Sequence, residues 1–288
     1  MAGNGDRGKL TIWQRLGVRE VRRRAGRKAG EPLQPEDWAV LWRLHEYAWV
    51  NRAMSQLFLA LPHSPRCGVC GAPFAGLGRW VAAPLGYRPS RKNPTVCSTC
   101  VELAPPGGMT MPTGVLFADL RGFTAQLDGG DAEAAAGILR RFYGCAEDIL
   151  FPEAVIDKLI GDEVMALYLP DMKRDFDRDE VPQLMLRHAR ELLGAVGYGS
   201  DEGPFMEVGI GIDFGEAFVG NIGQRALYDF TAVGDVVNTA SRLQGEAAGG
   251  EIVLSERVAS GLPHPVGTRV DLALKGKSGP EPAYRVRA

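Results

Sequence analysis

From Thr113 onward, apolar and polar positions fall in short blocks that switch between a period of two and a period near 3.6. In order, the blocks predict a strand over 113–120, a helix over 131–149, a hairpin over 155–168, a helix over about 180–196 and strands over 206–213 and 217–221. A strand-like run over 228–233, a helix over 236–247, a short strand over 251–254 and a terminal hairpin complete the series. Strands joined by tight hairpins and interspersed with helices define an α+β layered domain rather than a parallel barrel.

Upstream the pattern changes. Pro35 suits the first turn of a helix, and Trp38, Leu41, Trp42, His45, Trp49, Met54, Leu57 and Phe58 then recur at helical spacing. About residues 35–60 therefore read as one amphipathic helix, its tryptophan-rich stripe serving as core or partner interface. The stretch VELAPPGGMTMP (101–112) has the Pro and Gly density of a linker, and Pro112 is unsuited to the interior of a paired strand. These shifts divide the chain into a basic arm (1–30), a helix with a cysteine module (31–104), a linker (105–112) and a domain over 113–288.

The length of 288 residues allows about two domains, and 45% hydrophobic with 24% charged residues is the composition of an ordinary globular protein. No run approaches the ~18 consecutive apolar residues of a membrane-spanning helix. Nothing at the start resembles an export signal, so a soluble cytoplasmic protein is expected. The net charge of −2 conceals an asymmetry: residues 1–30 carry +7, leaving −9 for the rest. A basic arm can bind nucleic acid or an anionic membrane surface, but a solvated or loosely helical extension is the preferred reading.

Four of the five cysteines are paired as Cys67-Gly-Val-Cys70 and Cys97-Ser-Thr-Cys100. They bracket a 26-residue segment rich in Gly, Pro and Arg, with too few large apolar residues to make a core. Four thiolates can hold such a segment around one structural Zn²⁺, metal binding supplying the folding free energy. The preferred role is a structural knuckle; a nucleic-acid-reading finger or a redox sensor is the alternative.

Three segments carry chemistry. The apolar strand VLFA ends in Asp119 and runs through Gly122, Phe123 and Thr124 into a helix start, where a carboxylate can hold a divalent cation while backbone N–H groups face phosphate. In DKLIGDE (157–163), Gly161 allows a tight turn that puts Asp162 at a hairpin tip, beside Asp119 if the two strands are neighbours. Two such carboxylates suit a pair of Mg²⁺ or Mn²⁺ ions, and a plain charged turn is the competing reading. In YDFTAVGDVVNTASR (228–242), Asn238 and Arg242 are one helical turn apart, an amide and a guanidinium suited to sugar and phosphate.

VLFADLRGFT, DKLIGDEVMALY, GIDFGEAFVGNIG, YDFTAVGDVVNTASRL and LKGKSGPEPAYRV stand in an order that resembles the class III nucleotidyl cyclases, the adenylate and guanylate cyclase catalytic domain, over about residues 113–288. The resemblance implies a ferredoxin-like α+β core, active as a head-to-tail homodimer with two shared sites. It makes Asp119 and Asp162 ligands of two Mg²⁺ or Mn²⁺ ions. From the partner chain, Lys158 and Thr231 read the base, Asn238 orients the ribose and Arg242 stabilises charge at the α-phosphate. Lys275 meets the terminal phosphates, with Lys277 nearly as good a candidate.

The expected activity is conversion of ATP to 3′,5′-cyclic AMP and pyrophosphate, regulated by a partner through the amino-terminal region. Adenine offers an acceptor at N1 and a donor at N6, which an ammonium and a hydroxyl can satisfy. Two positions depart from the family pattern. Thr231 stands where many adenylyl cyclases carry Asp, leaving other nucleoside triphosphates open. Asp213 stands where relatives often carry His or Asn, and the sequence offers no account of it. The competing readings are a catalytically silent nucleotide-binding regulator and a nucleic-acid binder; a diguanylate cyclase lacks support because its Gly-Gly-Asp/Glu-Glu-Phe signature is absent.

Overall fold

The computed structural model describes residues 19–20, 22–23, 26–28, 34–37, 56–61, 65–90, 93–100, 107–123, 131–151, 153–172, 177–224 and 227–288. Most of the helix expected over 35–60 lies outside these residues; 35–37 and 56–60 are helical. The chain divides into two compact units, one made of 1–110, 172–174 and 218–231, the other of 111–171, 175–217 and 232–288.

In the first unit, α1 (Gly76–Ala82) lies within the cysteine module. Isolated bridges join Arg66 to Pro73 and Pro89 to Cys97, forming two short turns that carry the cysteine pairs. Phe58 is fully buried and meets Tyr87 edge-on with ring centroids 4.9 Å apart. The Arg66 guanidinium donates to the carbonyls of Phe58, Leu61 and Gly71, satisfying the end of the 56–60 helix from the first turn.

The strands of the main sheet are β1 (Gly107–Leu120), β2 (Val155–Ile160), β3 (Glu163–Tyr168), β4 (Val208–Gln224), β5 (Leu227–Val233), β6 (Glu251–Ser255), β7 (Thr268–Leu272) and β8 (Glu281–Arg287). The strand order is β2-β3-β1-β4-β6-β8-β7, with β5 paired to β4. β1–β3, β2–β3, β6–β8 and β7–β8 are antiparallel and β4–β6 is parallel. Among the described residues, four α-helices accompany it: α2 (Ala132–Leu150), α3 (Val181–Val196), α4 (Asp235–Glu246) and α5 (Glu256–Ser260). This is the expected α+β class.

The main core joins Leu116 and Ala118 of β1, Ile210 and Ile212 of β4, Phe142 and Leu150 of α2, and Met185, Leu192 and Leu193 of α3. Both helices present an apolar face at 3.6-residue spacing, and each starts where its sequence favours it. Asp131 caps α2 by accepting from Glu133 N at 2.8 Å, and Pro182 occupies the first turn of α3. α4 sits close on β4: a Cβ on Gly211 would stand 2.1 Å from Gln244 N, so only glycine permits this approach.

Two boundaries differ from expectation. β1 begins at Gly107, inside the segment read as linker, and includes Pro112. Its antiparallel register with β3 starts only at Gly114, past the proline that lacks an N–H. The two strands expected over 206–213 and 217–221 form one long strand, β4, running through Phe214-Gly215-Glu216.

Candidate functional site

The end of β1 and the β2–β3 turn bring three carboxylates together. Asp119 is opposite Glu163 in the antiparallel register, and Asp162 is the preceding residue of the turn. Leu120 N donates to Asp162 O at 3.3 Å, and the Tyr143 hydroxyl of α2 donates to Gly161 O, which fixes the turn at both sides. Gly161 has φ +63°.

Asp119 is half-buried. Its Oδ2 accepts from Gln244 Nε2 at 3.1 Å and from Arg121 Nη1 at 3.3 Å, and Arg121 also donates to the Gln244 carbonyl. Burial, then the charge of Asp162, raise the Asp119 pKa, and Arg121 and Gln244 offset this only in part. Glu163 is raised for the same reasons, burial first and then Asp119 and Asp162. Carboxylates that repel one another in a partly desolvated corner are a donor set that a divalent cation relieves, so Asp119 and Asp162 fit the metal role the resemblance implies. Sequence reasoning did not assign Glu163, Arg121 or Gln244 to this corner, because their placement depends on a cross-strand register and on helix docking.

Of the turn after Asp119, Gly122 is exposed with φ +73°, while Phe123 is 4% exposed and its ring belongs to the core. Phe123 was expected to bind substrate; its buried ring leaves only its backbone for that task. Thr124 lies outside the described residues. Lys158 sits at an irregularity between Ile156 and Lys158 in β2, its Nζ 3.1 Å from the buried Asp157 Oδ2. Thr231 is half-buried on β5.

α4 carries Asn238 and Arg242 one turn apart, with Asn238 exposed and Arg242 half-buried, while Val236, Ala240 and Leu243 are buried on the opposite side. Of the two candidate phosphate lysines, Lys275 is exposed, whereas Lys277 Nζ donates to Asp235 at 2.7 and 2.8 Å.

The four cysteines converge in the first unit. The Sγ atoms of Cys67, Cys70, Cys97 and Cys100 lie within 4.8 Å of one another, with Cys70–Cys97 at 3.6 Å and Cys97–Cys100 at 3.4 Å. Tetrahedral Zn²⁺ with Zn–S of about 2.3 Å separates its sulfurs by roughly 3.8 Å, so the group fits the ion. Cys67 Sγ accepts from Cys70 N at 3.4 Å and from Cys97 N at 3.2 Å, bonds that stabilise a thiolate. Burial pushes the Cys67 thiol up, yet these bonds and those from the other three thiols hold it well below the usual value. All four are free thiols rather than disulfides.

Residues 109–286 match the family model described as the adenylate and guanylate cyclase catalytic domain. The chain belongs to that family. It is 29% identical over 185 residues to an adenylate cyclase of Anabaena cylindrica, covering 60% of this chain and 36% of the relative. A Dictyostelium discoideum protein called adenylate cyclase, terminal-differentiation specific, is 27% identical over 132 residues, 45% of this chain and 6% of that one. The chain thus spans about a third or less of these relatives' length.

Among solved structures it is similar to the adenylyl cyclase CyaB from P. aeruginosa (TM-score 0.54, 27% identity, 62% of this chain and 95% of that one). It is also similar to the guanylyl cyclase Cya2 (TM-score 0.52, 28% identity, 62% and 93%). Among the described residues no helix is long and apolar enough to cross a membrane.

Proposed function

We propose that the protein is an adenylate cyclase that forms 3′,5′-cyclic AMP and pyrophosphate from ATP at sites shared by two copies of the chain. The observation that carries this reading is the meeting of Asp119 and Asp162 at the ends of the β1–β3 pair, in a chain of the cyclase family. Two Mg²⁺ or Mn²⁺ ions held by these carboxylates would supply charge neutralisation at the phosphates and activation of the ribose 3′-oxygen.

The chain's own residues do the rest. The backbone N–H groups of Gly122 and Phe123, in the turn after Asp119, are proposed to receive phosphate, and Thr124 is kept as a candidate for the same task. Asn238 orients the ribose through its amide, and Arg242 offers a planar guanidinium where negative charge grows at the α-phosphate. Lys275 pairs with the terminal phosphates, its exposed ammonium acting as a point charge. Lys158 donates towards adenine N1 and Thr231 accepts from N6. No histidine lies in these motifs, so the reading does not call on an imidazole base.

Asn238, Arg242 and the base-reading pair act on nucleotide held by the partner's carboxylates, which makes a homodimer part of the proposal. The cysteine module holds one structural Zn²⁺, supported by four converging thiols. Regulation through the amino-terminal region belongs to the same reading, and α1 presents Leu77 and Trp80 to solvent.

One observation favours a second substrate. The Thr231 hydroxyl both donates and accepts, so it tolerates the reversed pattern of guanine better than a carboxylate does. Incubation with ATP, GTP, CTP and UTP separately, with Mg²⁺ or Mn²⁺, followed by mass spectrometry of the product, separates the readings. Cyclic AMP from the unmodified protein and none from Asp119→Ala is the expected result. Cyclic GMP in preference to cyclic AMP overturns the assignment of the base, and binding without any cyclic product supports a silent regulator.

A further inference from the structure

Asp213, the residue without a role in the sequence, is the buried end of a chain of alternating charges. It lies on β4 with no exposed surface. Its Oδ1 accepts from Arg257 Nε at 3.1 Å and its Oδ2 from Arg257 Nη2. A buried carboxylate is costly unless paired, and this two-point contact satisfies both of its oxygens. Arg257 is held in turn by α5, whose first turn is capped by Ser255 Oγ accepting from Val258 N at 3.2 Å.

The same guanidinium reaches the next carboxylate. Arg257 Nη2 is 3.7 Å from Asp235 Oδ2, at the first residue of α4. Asp235 also takes Lys277 Nζ on both oxygens, at 2.7 and 2.8 Å. Lys277 N donates to Leu274 O at 3.1 Å, closing a turn whose Leu274 is buried in the small core with Leu243 of α4. Gly276 takes φ +77° in that turn, and a Cβ there would stand 3.3 Å from Arg242 Nη2. The turn is thus pinned along α4 from Asp235 to Arg242.

We infer that Asp213, Arg257, Asp235 and Lys277 form a positioning relay that fixes the 274–277 turn against α4, making Lys277 a tether and leaving Lys275, with Arg242, to meet the phosphates of the nucleotide. The inference rests on the proposed cyclase reading for the identity of the ligand. Its physical core is the charge order minus, plus, minus, plus. Each inner member is shared by two neighbours, so removing one loosens the next. Lys277 is spent on Asp235, whereas Lys275 on the same turn is exposed. A neutral residue at 213 would leave Arg257 without its buried counter-charge, which gives the departure at that position a physical meaning.

The test uses the full-length protein with Mg²⁺ and measures binding of α,β-methylene-ATP and of adenosine by calorimetry, together with thermal unfolding. Asp235→Asn, Lys277→Ala and Asp213→Asn should each weaken the triphosphate analogue by roughly 3- to 30-fold and leave adenosine unchanged. The Asp235→Asn, Lys277→Ala double variant should be no weaker than either single one. If Asp213→Asn does not fold, Arg257→Gln, whose side chain is 47% exposed, replaces it with the same expectation.

The relay is overturned if Asp235→Asn leaves triphosphate affinity unchanged or improves it while Lys277→Ala weakens it, because Lys277 then touches phosphate itself. Equal loss of adenosine affinity also overturns it, since that marks general damage to the fold. If the unmodified protein binds no triphosphate, the cyclase reading fails separately. The melting temperatures of the Asp235/Lys277 set then decide whether the relay exists: coupled effects support it and additive ones refute it.

Discussion

The Gln244 side-chain amide donates to Asp119 Oδ2 at 3.1 Å, so the last turn of α4 and the end of β1 share one carboxylate. Arg121 closes the contact by reaching both Asp119 and the Gln244 carbonyl. The helix that carries Asn238 and Arg242 is thereby locked to the strand that carries the candidate metal ligand. Gly211 makes the lock possible by letting α4 approach the sheet backbone.

Replacing Gln244 with Ala removes a hydrogen bond to an ionised group, a contact of about 1.5–3 kcal/mol. Gln244→Ala should therefore lower the urea midpoint of unfolding without changing its slope. It should also raise the Mg²⁺ concentration needed for half-maximal activity, because Asp119 is then less well oriented. Unchanged stability would mean that Arg121 alone holds Asp119.

If each site draws on two chains, Asp119→Ala and Arg242→Ala should each lower cyclase activity by about 10²-fold or more. A one-to-one mixture that exchanges subunits should regain about one quarter of normal activity, since half the dimers are mixed and each mixed dimer has one intact site. Product formation after mixing, with subunit exchange checked by native mass spectrometry, is the measurement. Mixed dimers that stay inactive would rule out sites shared in this way.

What could be read in advance follows the range of the interactions involved. The hairpin over 155–168 was legible because its determinants are local: the apolar runs 154–156 and 164–168 on either side of a turn permitted by Gly161, which the structure resolves as β2 and β3 around that turn. The helices α2, α3 and α4 were legible from their apolar spacing. β4 was read as two strands because Gly215 and Glu216 are poor strand formers locally, whereas in the fold β4 runs unbroken through them from Val208 to Gln224.

The candidate site divides in the same way. Asp119 and Asp162 stand out because one ends an apolar run and the other follows Gly161 at a hairpin tip. Glu163, Arg121 and Gln244 do not, since their part depends on register and docking between segments more than 40 residues apart in the chain. Asp213 was visible only as an oddity, and its partner Arg257 lies 44 positions away. The ambiguity between Lys275 and Lys277 has the same origin, for Asp235 is what distinguishes them.

Acid stability should depend on Glu251. Its Oε2 accepts from Ala248 N at 3.1 Å and from Arg285 Nη1 at 2.6 Å. Burial works to raise its pKa, but these bonds and the charges of Arg285 and Arg287 prevail and hold it below the usual glutamate value. The folded state therefore binds its proton less readily than the unfolded chain. This stabilisation is fully present above the ordinary glutamate pKa and is lost as pH falls through the depressed folded-state value. Glu251→Gln should be less stable than the unmodified protein at neutral pH, with the gap closing in acid. A gap that stays constant down to pH 3 would contradict this.

Zinc removal should act on one part of the chain. Among the described residues of 65–100, few large side chains are buried besides Phe74, Tyr87 and the cysteines themselves, so the proposed Zn²⁺ would supply much of the folding free energy of this segment. Binding of Zn²⁺ to four thiolates is worth about 10–16 kcal/mol at neutral pH, more than so small a core provides. A chelator strong enough to strip the ion should raise hydrogen exchange across 65–100 to unfolded rates, while α2, α3 and the central strands keep their protection because their core contains none of the cysteine ligands. Cys97→Ser should do the same without chelator, and one zinc per chain should be released from the unmodified protein on thiol modification. Protection over 65–100 that survives with no metal bound would show that the four thiols pack as an apolar cluster.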